Sequence, residues 1–112
     1  NEKVTQIIEI VNDNTSKLHW LETRLPNLIA DGAVLIFVGR KKDVAQLTLD
    51  LQKRNFNVDC LHGDMTGHAR ADSLQRFRKQ QYNILVATDV AARGLDLLSV
   101  RTVVCYDAAK DI

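Results

Sequence analysis

Several things are scarce in this chain, and each scarcity removes a class of function. The two cysteines, Cys60 and Cys105, sit in separate apolar runs. Even taken with His62, Asp64 and His68 they match no zinc-ligand spacing, so no metal is expected; they read as reduced, buried thiols of an intracellular protein, nuclear or cytoplasmic. The formal net charge is only +1, so no bulk field advertises a nucleic-acid binder, and any such binding must use a local site. The longest apolar run, Ala33 to Val38, falls far short of the ~20 residues that span a bilayer, and no membrane partner is expected. No charged-then-apolar leader opens the chain, which begins at Asn1 without Met and reads as an excised piece. The five glycines, Gly32, Gly39, Gly63, Gly67 and Gly94, fall in separate loops. There is neither a Gly-x-x-x-x-Gly-Lys-Ser/Thr nor a Gly-x-Gly-x-x-Gly motif, so the chain cannot cradle a triphosphate with its Mg²⁺ alone and must be half of a site.

What is present is ordinary globular material: 112 residues, 46% hydrophobic and 26% charged, enough for one core and too little for two. Val4 to Val11 is β-branched and largely alternating, a strand. From Ser16, an N-cap candidate, Leu18, Leu21, Leu25, Leu28 and Ile29 recur at helical spacing until Asp31-Gly32. Pro26, the only proline, predicts a kink or restart there. Ala33 to Val38 is unbroken apolar, the mark of a strand buried on both faces of a parallel sheet. A helix follows over Asp43 to Arg54, a strand over Phe56 to Leu61, and a helix over Gly67 to Gln80, whose Arg76, Arg78 and Lys79 read as an exposed face. Strands over Asn83 to Ala87 and Arg101 to Tyr106 complete the chain. The alternation predicts an open parallel α/β sheet with helices on both faces, a three-layer αβα arrangement.

Ligands of open α/β sheets bind outside the carboxyl ends of the strands, and the chemically loaded residues cluster after strands: Gly39-Arg40-Lys41, His62-Gly63-Asp64, Thr88 to Asp96, and Asp107. Within Val86-Ala87-Thr88-Asp89-Val90-Ala91-Ala92-Arg93-Gly94-Leu95-Asp96, a hydroxyl and free N–H groups can hold phosphate oxygens, an arginine can pair bidentately, and a carboxylate can accept from a ribose hydroxyl. Taken alone, the same stretch also fits a strand-to-helix turn with a capping Asp. Arg40 is open between a solvated helix start and a phosphate contact.

Val38-Gly39-Arg40-Lys41, then Leu61-His62-Gly63-Asp64-Met65, then the eleven residues from Val86, and finally Tyr106-Asp107 resemble the ordered motifs of the C-terminal RecA-like lobe of a DEAD-box RNA helicase. The resemblance covers essentially the whole chain, 1–112. Relatives that translocate along nucleic acid usually lack the Ala-Ala-Arg-Gly-Leu-Asp ending. Val4-Thr5-Gln6-Ile7, Trp20-Leu21 and His62-Gly63-Asp64-Met65 are most similar to the spliceosome-associated branch.

The resemblance implies roles for residues of this chain. Thr88 would bind an RNA phosphate through its hydroxyl, while Gly94 and Asp96 would approach the ATP ribose, with Arg93 at the RNA or ATP edge and Asp89 bracing the loop. Phe37, Gly39 and Arg40 would meet the RNA backbone, Gly63 and Asp64 would supply further N–H donors to phosphates, and Arg70 matches the arginine of the family's Gln-x-x-Arg signature. Two departures stand out. The glutamine of that signature is Gly67 here, removing one expected RNA contact. The chain also stops at Ile112, before the His-Arg-Ile-Gly-Arg-Thr-Gly-Arg motif whose arginine finger is worth 10³ or more in rate in comparable enzymes.

No catalytic residue is therefore expected within these residues. ATP with Mg²⁺ would be held mainly by a preceding RecA-like lobe carrying the phosphate-binding loop, the lobe would share single-stranded RNA with that partner, and regulatory or spliceosomal proteins would be further partners. Alone, the chain should be inactive. Two other readings remain: a non-catalytic RecA-like module that docks a protein, and a self-sufficient flavodoxin-like mononucleotide binder.

Overall fold

A computed structural model describes residues 6–11, 17–88 and 100–108 of the chain. The elements are β1 (Gln6–Val11), α1 (Lys17–Asp31), β2 (Ala33–Val38), α2 (Lys41–Lys53), β3 (Val58–Leu61), α3 (Gly67–Arg78), β4 (Ile84–Thr88) and β5 (Val100–Ala108). The five strands form one sheet in the order β1-β5-β2-β4-β3, and every described pairing is parallel. The fold is the expected three-layer α/β arrangement.

The apolar run of β2 explains the layering. Val34, Ile36 and Val38 point to one side, into a core completed by Leu21 and Leu25 of α1 and Val44, Leu47 and Leu51 of α2. Leu35, with Ala33 and Phe37, points to the other side, where Phe77 and Leu74 of α3 close a second core over Leu61, Leu85 and Val103. Strands buried on both faces need no polar alternation. Handedness decides which helix goes where. The steps β1 to β2 and β2 to β3 run in one direction across the sheet and β3 to β4 runs back; right-handed crossovers therefore put α1 and α2 on one face and α3 on the other.

The helix ends show how local chemistry sets the boundaries. Thr66 caps α3, its Oγ1 accepting from Ala69 N–H at 3.0 Å, an arrangement that satisfies one of the orphan donors of the first turn. Asn55 and Gln80 adopt left-handed φ of 69° and 61°, and the next amides reach back, Phe56 to Leu51 and Gln81 to Arg76, closing α2 and α3 with the paired bonds of a Schellman motif. The strand expected from Phe56 starts at Val58, because Phe56 still belongs to this closure.

Three further expectations are corrected. α1 does not restart at Pro26 but continues through it; the proline is exposed, where water can satisfy the carbonyl that its missing N–H leaves behind. Asp107 lies inside β5 rather than in a loop after it, since β5 is flanked by β1 and β2 and its pairing extends to Val11↔Ala108. Arg76 is no mere exposed face, because it pairs with Asp59 and Asp72; Arg78 and Lys79 are exposed. Val4 and the Ser16 cap lie outside the described residues, among which no helix is long and apolar enough to cross a membrane.

Candidate nucleic-acid interface

A parallel sheet delivers all its carboxyl ends to one edge. Val38 of β2 stands in register with Thr88 of β4, and Leu61 of β3 with Ala87. The residues that follow these strands are therefore neighbours although they are far apart in sequence. The most direct link is an ion pair: Lys41 Nζ, on the first residue of α2, donates to Asp64 Oδ1 in the β3–α3 loop at 3.0 Å. With both side chains about 60% exposed, the pair adds little stability. It does bring together at the rim a cation from the start of α2 and a carboxylate from the β3–α3 loop.

Each expected site residue can now be placed. Gly39 and Arg40 are exposed at the end of β2. Arg40 is the extended N-cap of α2 with no side-chain cap bond, and its Nε reaches Asp43 Oδ2 at 3.2 Å. That carboxylate in the first turn offsets the unfavourable placing of Lys41 and Lys42 at a helix N-terminus, which is how α2 begins at Lys41 rather than Asp43. Phe37 is half-buried in the α3-side core and paired with both Ala87 and Cys105, a buttress beneath the rim.

The His62–Asp64 loop is bonded to itself. Met65 N–H donates to His62 O at 3.2 Å, His62 N–H to Met65 Sδ at 3.3 Å, and Asp64 N–H to His62 Nδ1 at 3.3 Å. Gly63 is exposed, and a Cβ there would meet nothing within 4 Å. Glycine is not demanded by packing; it leaves the amide of this loop open to whatever lies at the rim. Gly67 is equally unobstructed.

Arg70 stands half-buried in the first turns of α3, its amide bonded to Thr66 O at 3.0 Å. Thr88 is the last residue of β4 and only 8% exposed. Asp89, Arg93, Gly94 and Asp96 lie outside the described residues.

Two features of the edge escaped the sequence reading. Lys17 Nζ donates to Tyr106 O at 3.1 Å and sits 4.6 Å from the Tyr106 ring centroid, tying the start of α1 to β5. Beside it a pocket of about 310 Å³ is lined by Arg40, Asp43, Gln46, Leu47 and Asp50. A larger pocket, about 460 Å³, lies at the opposite edge between Gly32, Asn83 and Arg101, away from every motif residue. No signal but the fold itself could have assembled either. Among the described residues no group of three His, Cys, Asp or Glu side chains gathers to hold a metal.

Comparison with known proteins gives a consistent picture. The helicase conserved C-terminal domain matches residues 16–112. Over 112 residues the chain is 46% identical to the ATP-dependent RNA helicase DDX42 of Homo sapiens, covering all of this chain and 12% of that protein. It superposes on S. cerevisiae Dbp5 bound to RNA and ADP BeF3 with a TM-score of 0.81 at 30% identity, covering 96% of this chain and 27% of that one. On the yeast DEAD-box splicing factor Prp28 the TM-score is 0.79 at 33% identity, covering 96% and 23%. The chain spans 15% or less of the length of the curated relatives that it matches most strongly.

Proposed function

This chain belongs to the helicase conserved C-terminal domain family, with the RecA-like fold of the DEAD-box C-terminal lobe, and from that premise we propose that the whole protein is an ATP-dependent RNA helicase in which this lobe supplies half of the RNA-backbone site and half of the ATP site. The observation that carries the reading is the meeting of the Gly39–Lys41 and His62–Asp64 loops through the Lys41–Asp64 pair, on the sheet edge where Thr88 ends β4.

In this reading Thr88, the Gly63 amide, Arg40 and Arg70 hold RNA phosphates, with Gly39 allowing close approach, Asp64 fixing the loop and Phe37 supporting it from below. Contacts to phosphates and 2′-hydroxyls give little sequence preference and favour RNA over DNA. Gly94 and Asp96 meet the ATP ribose, Arg93 its edge, and Asp89 braces the loop. ATP brings the transferable γ-phosphoryl; with Mg²⁺ it is held mainly by a preceding RecA-like lobe. Because each ligand bridges two lobes, either one alone binds weakly, and closure couples the two sites.

The likeness to a splicing factor supports a spliceosomal or other regulatory protein partner. Cys60 and Cys105 pack in different cores on opposite faces of the sheet, a placing that fits reduced thiols of an intracellular protein. The test is RNA-stimulated ATPase in the full-length protein. Thr88→Ala should abolish the stimulation by RNA, and Asp96→Ala should raise KM for ATP and lower turnover. Parent-like behaviour of both variants would overturn these assignments and favour a non-catalytic docking module.

A further inference from the structure

The β3–α3 loop and Arg70 are held in place by a polar cluster that no motif announces. Asp59 lies on β3, an edge strand of the sheet, and its carboxylate collects three donors. Cys60 N–H donates to Oδ1 at 2.8 Å, while Ser73 Oγ and Arg76 Nη2 reach Oδ2 at 3.1 and 2.8 Å. Ser73 is 1% exposed and lies 2.7 Å from Tyr82 Oη; the Tyr82 hydroxyl also donates to the Ser73 carbonyl. Arg76 is held further by Asp72 at 3.2 Å, and its guanidinium sits 5.7 Å from the Tyr82 ring centroid. Tyr82 itself leads into β4.

The location of this cluster matters more than its strength. Asp59 lies just before the loop that carries Gly63 and Asp64, and Ser73 lies one helical turn after Arg70. A single carboxylate therefore bridges the two ends of the segment that bears these three residues. Between those ends the segment is tied by its own turn bonds, the Thr66 cap and the exposed Lys41–Asp64 pair, while a Cβ at Gly63 or Gly67 would pack on nothing. The network is buried at Ser73 and Tyr82 and half-exposed at Arg76; shared bonds of this kind fix geometry as well as energy, and displacement of a binding group by ~1 Å costs up to ~10²-fold.

We infer that Asp59, with Ser73, Arg76 and Tyr82, is a positioning device that sets the register of the Gly63–Arg70 segment on the RNA backbone. The inference deepens the function proposed above and rests on it. With Gly67 where the family carries glutamine, fewer direct contacts remain, and the placement of those left carries more of the binding.

The test uses the full-length protein and reads RNA and ATP separately. Asp59→Ala should raise the RNA concentration for half-maximal ATPase about tenfold, within the range expected for a misplaced contact. The kcat at saturating RNA and KM for ATP should stay within about twofold, as changes confined to ligand binding allow. The dependence of RNA half-saturation on salt should become shallower by about one counterion, and the double variant Asp59→Ala/Arg70→Ala should lose less than the sum of the two single losses, since Asp59 acts in part through Arg70. Tyr82→Phe removes one hydroxyl of the same cluster, and it should shift RNA half-saturation in the same direction should the aspartate variant fail to fold. Additive losses in the double variant, or losses shared equally by RNA, ATP and kcat, would overturn the positioning role. If Arg70→Ala alone leaves RNA half-saturation unchanged, the underlying RNA reading fails instead.

Discussion

Replacing Gly32 with alanine should cost this lobe more stability than almost any other single methyl. Gly32 has φ of +147°, a conformation that L residues adopt at a cost of ~1–3 kcal/mol. The added Cβ would also stand 2.1 Å from Cγ and 2.9 Å from Cβ of Arg101. The Arg101 Cβ is fixed by the backbone and cannot swing away, because Arg101 is the extra residue where the β2–β5 register shifts, Ala33 facing Val100 and Val34 facing Thr102. Overpacking of that kind adds ~1–3 kcal/mol. The two effects together come to ~2–6 kcal/mol, a large share of the ~5–15 kcal/mol by which a domain is stable, and correspond to a fall in Tm of roughly 8–24 °C for a domain of about this size. Urea unfolding of the isolated lobe can be followed by the fluorescence of Trp20, the single tryptophan. In Gly32→Ala/Arg101→Ala, measured against Arg101→Ala, the clash with Cγ should vanish, while the 2.9 Å contact with Cβ and the conformational part remain. A loss below ~1 kcal/mol in Gly32→Ala would refute the reasoning. A double variant that loses as much as the single would show that Arg101 Cγ is not the obstacle.

Three other outcomes are expected. Gly67→Gln meets no neighbour and replaces glycine in the first turn of α3; thermal unfolding should show an unchanged or higher Tm, and fluorescence anisotropy should show severalfold tighter RNA binding by the full-length protein. Lys41→Gln breaks an exposed ion pair, so stability should move by less than ~0.5 kcal/mol, whereas Arg40→Gln, at a proposed phosphate contact, should cost a salt titration of RNA affinity about one unit of slope. Burial pushes the Tyr82 hydroxyl well above its ordinary value, further raised by the charge of Asp59 and opposed by its bond to Ser73 and by Arg76. The folded state thus holds this proton more tightly than the unfolded one, so the contribution is complete below the ordinary tyrosine value of ~10 and is lost as pH climbs above it. Tyr82→Phe should flatten that alkaline decline in a stability-versus-pH series.

The parts of the fold that could be read in the sequence are those fixed by local chemistry. Ala33 to Val38 had to be a doubly buried strand, and the observed β2 has those bounds. α3 begins at Gly67, where its cap Thr66 ends the loop. Boundaries slipped where a distant group decides them: Lys41 and Lys42 looked hostile to a helix start until Asp43 and Asp64 were seen to take up the charge of this segment. The edge that gathers Gly39, Arg40, Gly63, Asp64 and Thr88 followed from strand alternation alone, because any parallel sheet collects its carboxyl ends. The insertion of β5 between β1 and β2 could not be read, since no residue encodes which neighbour a doubly apolar strand will choose. The Asp59–Ser73–Tyr82 cluster was equally hidden, one residue each from a strand, a helix and a turn with no shared spacing.

That insertion makes β5 a keystone. Gln6 pairs with Thr102 and Ile8 with Val104, so among the described strands the earliest in sequence waits for the latest, and β1 has no other partner there. A nascent chain that has not yet released Val100–Ala108 carries β1 unpaired and one side of β2 open, two bare backbone edges of the kind that invite mispairing. Closing contacts so remote in sequence makes folding slow and leaves a window for aggregation, and the interval between synthesis of β4 and release of β5 is when this lobe most needs protection.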